Sequence, residues 1–219
     1  MGRRPPSGRI LIEILVGLLL TLGMPNLPLG RWGERLIPGA PLIGHEALWW
    51  VAVALLLLYV ILVERRPLSS IGLRKIRPWD IPIAIASGIL MVVAIAFIYG
   101  VVFRVLHLQM NTGAMNKVLA APFWYRFMLV TRAAVAEEIL FRGYPIERLE
   151  ELIGSRLAAG TISWAAFTIA YLGGWGWPQL LVAGSGGIIL TVVYLWRRNL
   201  PANIVTHWIA DAAGFLLPR

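Results

Sequence analysis

Long apolar stretches separated by short polar segments run along this chain of 219 residues. A helix that crosses a membrane needs about 20 mostly apolar residues. On that requirement the pattern predicts seven spans, give or take one, at Ile10–Leu29, Ile43–Val63, Ile81–Phe103, Phe123–Phe141, Leu157–Leu172, Pro178–Trp196 and Leu200–Leu217. We therefore expect an all-α fold, a polytopic helix bundle that is integral to a membrane.

The composition fits an integral membrane protein, because 58% of the residues are hydrophobic and only 14% are charged. Cysteine is absent, which excludes disulfide frameworks, thiolate nucleophiles and cysteine-ligated metal sites. The net charge of +9 comes from short basic runs between the apolar stretches. Such runs set topology and contact anionic headgroups, so we expect a lipid bilayer as a partner and no nucleic acid.

The positions of Lys and Arg predict the orientation of the bundle. With a cytoplasmic amino terminus, thirteen basic residues fall inside and six fall outside, and Arg132 is left within a span. The positive-inside rule favours this orientation, and we expect it in the plasma membrane of a bacterium or archaeon. The fourth span then ends at the cytoplasmic side, which predicts that Glu137, Glu138 and Arg142 lie within reach of the cytosol.

The spans form one membrane domain with two parts. Residues 1–122 hold the three amino-terminal spans and their loops, and residues 123–219 hold four spans that carry the candidate chemistry. We find no defensible internal repeat and no low-complexity linker in the sequence. The first span is interrupted by Glu13 and lacks a small-residue cleavage site, so we expect it to be retained as an anchor.

Two adjacent carboxylates in the fourth span, Glu137 and Glu138, are the main candidates for chemistry. Glu138 and Arg142 are four residues apart and share a helix face, whereas Glu137 points about a quarter-turn away. One carboxylate can therefore be held in an ion pair while the other faces a cavity, which suits a general base. The alternative is that both only neutralise Arg132 and Arg142. We favour function, because ionisable pairs at membrane depth are costly to bury.

A second polar cluster lies on the last span, where Asn203, His207 and Asp211 are spaced by four and share one stripe. Imidazole can donate to a developing oxyanion or pass a proton, and a carboxylate one turn away can fix its tautomer. A lone histidine in a membrane helix is often only a packing group. With Asn and Asp on the same stripe we favour a functional role.

Two motifs resemble those of a known family, the CAAX prenyl protease 2 and bacteriocin-processing membrane proteins. This family is also called CPBP or Abi, and it includes lysostaphin-resistance-like proteins. Its first motif has two Glu with an Arg four residues after the second, which Glu137, Glu138 and Arg142 match. Its third motif has a His with an Asn or Asp four residues later, which His207 and Asp211 match.

The second motif of the family, a Phe with a His four residues later, is altered here. Phe167 matches its first position, but Tyr171 stands where the family has histidine. A phenol, with a reference pKa of about 10, is a poor base at neutral pH, although it can donate a hydrogen bond. The resemblance covers roughly Phe123 to Leu217 with the motifs in the family order.

The resemblance implies an intramembrane endopeptidase that cleaves near the carboxyl terminus of a substrate or within a membrane-associated peptide. The resemblance implies that Glu137 is the base that activates water, and that Glu138 and Arg142 position the Glu137 side chain. It also implies that His207 with Asp211 stabilises the tetrahedral intermediate. The expected partner is a membrane-associated peptide or protein, while its identity and the oligomeric state stay open.

We expect no cofactor. The chain has three histidines and no His-Glu-x-x-His helix, so a two-histidine zinc site would need residues from the early spans or loops. Zinc held by Glu137, His207 and a second carboxylate is the alternative. We favour a metal-free glutamate mechanism.

Two other functions stay open from the sequence. A catalytically weakened family member could bind a hydrophobic peptide or partner without cutting it, in an immunity or chaperone-like role, and Tyr171 favours this function. A small transporter could use Glu137 and Glu138 as groups that titrate during transport. The lack of a clear repeat counts against a transporter.

Overall fold

The computed structural model of the protein describes residues 8–109 and 112–217, and in these ranges it contains helices and no β-strand. The all-α prediction is confirmed. The helices in chain order are α1 Gly8–Gly23, α2 Leu29–Leu36, α3 Pro41–Leu58, α4 Asp80–Phe97, α5 Phe103–Val105, α6 Thr112–Ala120, α7 Phe123–Glu138, α8 Tyr144–Ile153, α9 Arg156–Ala170, α10 Leu172–Trp175, α11 Gln179–Arg197 and α12 Leu200–Phe215.

Three π-helical turns extend these helices without breaking them. Tyr59–Val63 continues α3, Ile98–Val102 joins α4 to α5, and Ile139–Gly143 joins α7 to α8. Single π-helical turns in long helices are frequent at functional sites. The third of these turns directly follows the two adjacent glutamates.

Five continuous helical stretches are long and apolar enough to cross a membrane, at Gly8–Asn26, Pro41–Val63, Asp80–Val105, Arg156–Trp175 and Gln179–Arg197. They match five of the seven predicted spans and confirm a polytopic membrane bundle. The other two predicted spans correspond to α7 and α12, which have 16 residues each. These two helices carry the buried polar residues of both candidate clusters.

The two polar helices lie inside the bundle, where lipid does not reach their polar faces. Helix α12 packs against α4 and α7, and α11 packs against α9 and α4. Aliphatic residues fill the spaces between them, including Leu140 and Leu190, which are fully buried. On the outer surface Leu19 and Val192 are more than half exposed, as expected of side chains that meet lipid tails.

Glycines on α11 let α9 approach its backbone closely. Trp164 of α9 donates its indole N–H to the carbonyl oxygen of Gly184 at 2.8 Å. A Cβ atom on Gly187 would collide with the rings of Phe167 and Trp164. Small residues at such crossings allow tight packing between helices in a membrane. The close approach fixes where Phe167 and the end of α9 lie.

Ion pairs close one end of the bundle, the end at which α1 begins. Arg148 of α8 binds Glu64 with 2.6 Å between Nη2 and Oε2, and Tyr144 donates to the other oxygen of Glu64 at 2.6 Å. Arg197 at the end of α11 binds Asp80 at the start of α4 at 2.8 Å. Charged groups that are buried this deeply are tolerated only when they are paired and hydrogen-bonded. At that end the first pair ties α8 to the segment after α3, and the second ties α11 to α4.

Arg148→Met tests the importance of this end of the bundle. The variant leaves the buried Glu64 carboxylate without its cation, so we expect the free energy of unfolding to fall by about 3–5 kcal/mol. Arg9→Met is the matched control, because the Arg9 side chain is 71% exposed and its pair with Glu13 is worth at most about 1 kcal/mol. Denaturant unfolding in mixed micelles measures both. Equal losses in the two variants would contradict a structural role for the buried pair.

Candidate active site

The site begins where α7 passes into its π-helical turn. Glu138 is the last residue of α7, and Arg142 lies within the turn Ile139–Gly143. The turn leaves Arg142 beside Glu138, with 3.0 Å between Nη1 and Oε1, and neither side chain is exposed. The predicted pairing of these two residues on one helix face agrees with this geometry.

Glu138 is the acceptor at the centre of a fully buried cluster. Besides Arg142, it accepts a hydrogen bond from the Asn203 amide at 2.5 Å and lies 2.9 Å from Nδ1 of His207. A carboxylate paired with arginine can only accept, so His207 donates from Nδ1. That bond fixes the orientation of the ring and directs Nε2 away from Glu138. Glu138 therefore connects α7 to α12 and sets the imidazole in place.

Glu137 points to a different environment from its neighbour. Its side chain is 21% exposed and lines a cavity, and its Oε2 accepts a hydrogen bond from the Tyr171 hydroxyl at 2.8 Å. His207 Nε2 lies 4.0 Å from the same oxygen and 3.6 Å from Oδ2 of Asp211. The two adjacent carboxylates thus separate as the sequence predicted, one into an ion pair and the other into a cavity.

The cavity has a volume of about 430 Å³ and is walled by α4, α7, α9, α11 and α12. Most of its wall is apolar, from residues such as Met91, Ile95 and Val182. A concave, mostly apolar cavity with a few converging polar groups is the usual form of a ligand or active site. Four of the predicted site residues line it, namely Glu137, Tyr171, His207 and Asp211.

Aromatic packing holds the altered second motif in place. Tyr171 caps the carboxyl end of α9, and its ring packs edge-on against Phe167 with 5.2 Å between the centroids. Phe167 in turn lies under the guanidinium of Arg142, 4.0 Å from ring centroid to Cζ. Residue 171, where the resemblance led us to expect a histidine, therefore carries a phenol that contacts Glu137.

The expected accessibility of the carboxylate pair was wrong in one respect. Glu138 and Arg142 are completely buried and open to neither side of the bundle. The cavity beside Glu137 extends instead toward the end of the bundle that carries Trp175 and Gln179, away from the turn after α7. The turn Ile139–Gly143 lies at the end of the predicted fourth span. It does not reach water, because α8 and the loop after α3 cover it.

For two residues near the site, sequence reasoning noted the residue but did not predict its partner. Arg132 lines the cavity, and its Nε binds Glu46 of α3 at 3.0 Å and not either residue of the carboxylate pair. The signal was available, because one isolated acid and one isolated base in apolar spans are expected to pair. Asn203 was recognised as part of the α12 stripe, but its partner is Glu138 and it does not line the cavity.

The donor set does not fit a zinc site. In residues 8–109 and 112–217 no group of three or more His, Asp or Glu side chains could hold a metal ion. His207 is the one histidine that lines the cavity, and its Nδ1 is engaged by Glu138. Catalytic zinc sites in proteins are built on two or three nitrogen or sulfur ligands, which this cavity lacks among the residues described.

Residues 119–213 match the family model described as Type II CAAX prenyl endopeptidase Rce1-like. The matched segment contains every residue of the candidate site from Glu137 to Asp211, within a helical membrane bundle. This segment is therefore similar to membrane-embedded endopeptidases of the CAAX protease type. The match covers 95 of the 219 residues and confirms the resemblance to the CPBP family for this part of the chain. Neither a curated protein nor a solved structure is significantly similar to the chain.

The adjacent glutamates allow one matched test of the site geometry. Glu138→Gln leaves the buried Arg142 without a counter-charge, so we expect the free energy of unfolding to fall by about 3–5 kcal/mol. Glu137→Gln should cost less than about 1 kcal/mol, because an amide oxygen still accepts from Tyr171. Unfolding of both variants in the same micelles measures the difference. The assignment of the two environments fails if Glu137→Gln is the more damaging change.

Proposed function

We propose that the protein is an intramembrane endopeptidase in which Glu137 activates a water molecule for attack on a peptide bond. The observation that carries this proposal is the convergence of Glu137, His207 and Asp211 on one apolar cavity, with 4.0 Å between Glu137 Oε2 and His207 Nε2. A carboxylate, an imidazole and a hydroxyl from three helices are the components that amide hydrolysis by activated water requires. Membership of residues 119–213 in an endopeptidase family supports the same reaction class.

Glu137 is the proposed base. It is the carboxylate of the pair that lines the cavity, and no arginine or lysine in the described part of the chain is within salt-bridge distance of it. It takes one proton from water while the oxygen of that water attacks the carbonyl carbon of the substrate. Glu138 cannot act as the base, because Arg142, Asn203 and His207 hydrogen-bond to its carboxylate oxygens and the cavity does not reach it.

His207 is the proposed oxyanion donor. Its Nδ1–H donates to Glu138, and in the imidazolium form Nε2 carries a second proton that can point at the carbonyl oxygen of a substrate in the cavity. The Asp211 carboxylate at 3.6 Å favours that proton on Nε2 by its charge. As the carbonyl oxygen becomes negative, this N–H and its positive charge stabilise the tetrahedral intermediate.

Collapse of the intermediate breaks the C–N bond. The proton that Glu137 took from water passes to the leaving amine nitrogen, and the carboxylate is restored. Tyr171 donates to Glu137 and so keeps this oxygen oriented toward the cavity centre, which is a positioning role. Each step uses protein side chains and water, and no metal is required.

The proposed substrate is an extended segment of a membrane-associated peptide. The wall offers apolar residues such as Met91, Val92 and Val182 to its side chains. Arg132 and Gln179 supply polar contacts within the same wall. An apolar cavity excludes most water, which strengthens the electrostatic interactions around the peptide bond.

Replacement of the base tests the proposal. Glu137→Gln should lower the rate of cleavage of a peptide reconstituted into the same liposomes by about 10²–10⁴-fold, the range that general base catalysis contributes. Glu34→Gln is the control, because Glu34 is partly exposed and pairs with His45 away from the cavity. Product formation is followed by mass spectrometry. Undiminished cleavage by Glu137→Gln would remove Glu137 from the mechanism.

A second function is favoured by one specific contact. The Tyr171 hydroxyl already occupies Glu137 Oε2 at 2.8 Å, and a phenol does not replace the family histidine as a base. A protein of this kind would bind a hydrophobic peptide or partner in the cavity without cutting it. It would act in an immunity or chaperone-like role.

Substitution at residue 171 separates the two functions. An imidazole at this position could share the proton of the attacking water, so we expect Tyr171→His to raise the cleavage rate above that of the parent protein. Tyr171→Phe is the control, because it removes the hydroxyl and adds no base. Rates and peptide affinity are measured in the same proteoliposomes. Binding without cleavage in the parent protein and in Tyr171→His would favour the binding function.

A further inference from the structure

The two ends of the bundle differ strongly in basic residues. The end at which α1 begins carries ten of the Lys and Arg residues described, and the opposite end carries five. The first group is Arg9, Arg65, Arg66, Arg74, Lys75, Arg77, Arg148, Arg156, Arg197 and Arg198; the second is Arg31, Arg35, Arg104, Lys117 and Arg126. We call these the basic end and the opposite end.

Contacts between distant segments confirm that each group belongs to one end. At the basic end the loop after α3 contacts α8, with 2.5 Å between Arg66 and Glu151, and α11 contacts the start of α4 through Arg197. At the opposite end Tyr99 donates to Gln179 at 3.0 Å, and Arg126 donates to the carbonyl oxygen of Phe215 at 2.7 Å. The direction of every long helix agrees with this division.

The cavity lies in the half of the bundle toward the opposite end. Its deepest polar groups, Glu137 and His207, lie near the middle of the helical stretch that begins at Phe123 and of α12. From there the lining follows each helix toward the opposite end and finishes at Val118, Trp175 and Gln179. Val118 belongs to α6, which lies in the connection between α4 and α7 at that end.

The cavity does not continue to the basic end of the bundle. Glu138, Arg142 and Asn203 lie directly beyond Glu137 and His207 in that direction, and all three are completely buried. Beyond them, Gly143 is in close contact with the backbone of Ile71. None of these residues lines the cavity.

We propose that the cavity takes its peptide from the extracytoplasmic side of the membrane. The end of a membrane protein that is rich in Lys and Arg lies in the cytoplasm, so the basic end is cytoplasmic and the mouth of the cavity is outside. This inference rests on the proposed function, since it says from which side that same site receives its substrate. It identifies the substrate class as peptide segments exposed at the outer surface of the membrane, such as parts of exported or membrane-anchored proteins.

The residues at the mouth suit such a segment. Val118, Trp175 and Phe215 are partly exposed and apolar, and Gln179 and the indole of Trp175 add polar groups at the same level. Tryptophan favours the boundary between lipid tails and water. An extended apolar segment that lies at that boundary can enter the cavity without passing a ring of charged side chains.

The absence of cysteine makes the orientation directly measurable, because any introduced thiol is the only one present. Ala213→Cys puts a thiol on the lining of the cavity near its mouth, and Ser69→Cys puts an exposed thiol at the basic end with little change of shape. The probe is a charged, membrane-impermeant maleimide added to intact cells and, separately, to permeabilised cells. The reaction needs no catalysis, so it does not depend on whether the protein cleaves peptides.

We expect Ala213→Cys to react in intact cells and Ser69→Cys to react only after permeabilisation. Labelling of Ser69→Cys in intact cells would overturn the inference, and so would labelling of Ala213→Cys only after permeabilisation. The proposed function is judged separately by Glu137→Gln, which leaves the labelling pattern unchanged. A correct labelling pattern with cleavage unaffected by Glu137→Gln would defeat the mechanism and not the orientation.

Discussion

The arrangement of the site depends on one constraint, the neutralisation of a guanidinium in the middle of an apolar bundle. Arg142 is fully buried, and its charge is tolerable there only beside a carboxylate. Glu138 meets this need and also binds Asn203 and His207, so a single side chain joins α7 to α12. Because that carboxylate is committed, the neighbouring Glu137 is the one that can face the cavity.

Much of the bundle and part of the site were predictable from sequence. Hydropathy gave spans close to five observed helical stretches, since length and apolar composition alone decide whether a helix can cross a bilayer. Helical spacing gave the Glu138–Arg142 pair and the placing of His207 and Asp211 on one stripe. The family motifs indicated that residues from α7, α9 and α12 belong to one site. These inferences needed only local periodicity or a known motif order.

What could not be predicted depends on packing between distant segments. No local pattern indicated that the π-helical turn after Glu138 is buried beneath α8, and the pairing of Arg132 with Glu46 joins residues 86 positions apart. For the same reason the sequence suggested that the end of the fourth span lies near water, although the cavity extends the other way. The consequence is functional, because the side from which a cavity opens decides which peptides can reach it.

In the proposed reaction, water activated by side chains of this cavity hydrolyses a peptide bond. The most direct measurement is mass spectrometry of a peptide incubated with the purified, reconstituted protein in water enriched in oxygen-18. We expect a shorter product whose new carboxyl terminus carries one oxygen-18 atom after a single turnover. Recovery of the peptide intact, although it is bound in the cavity, would contradict the claim and leave a binding protein.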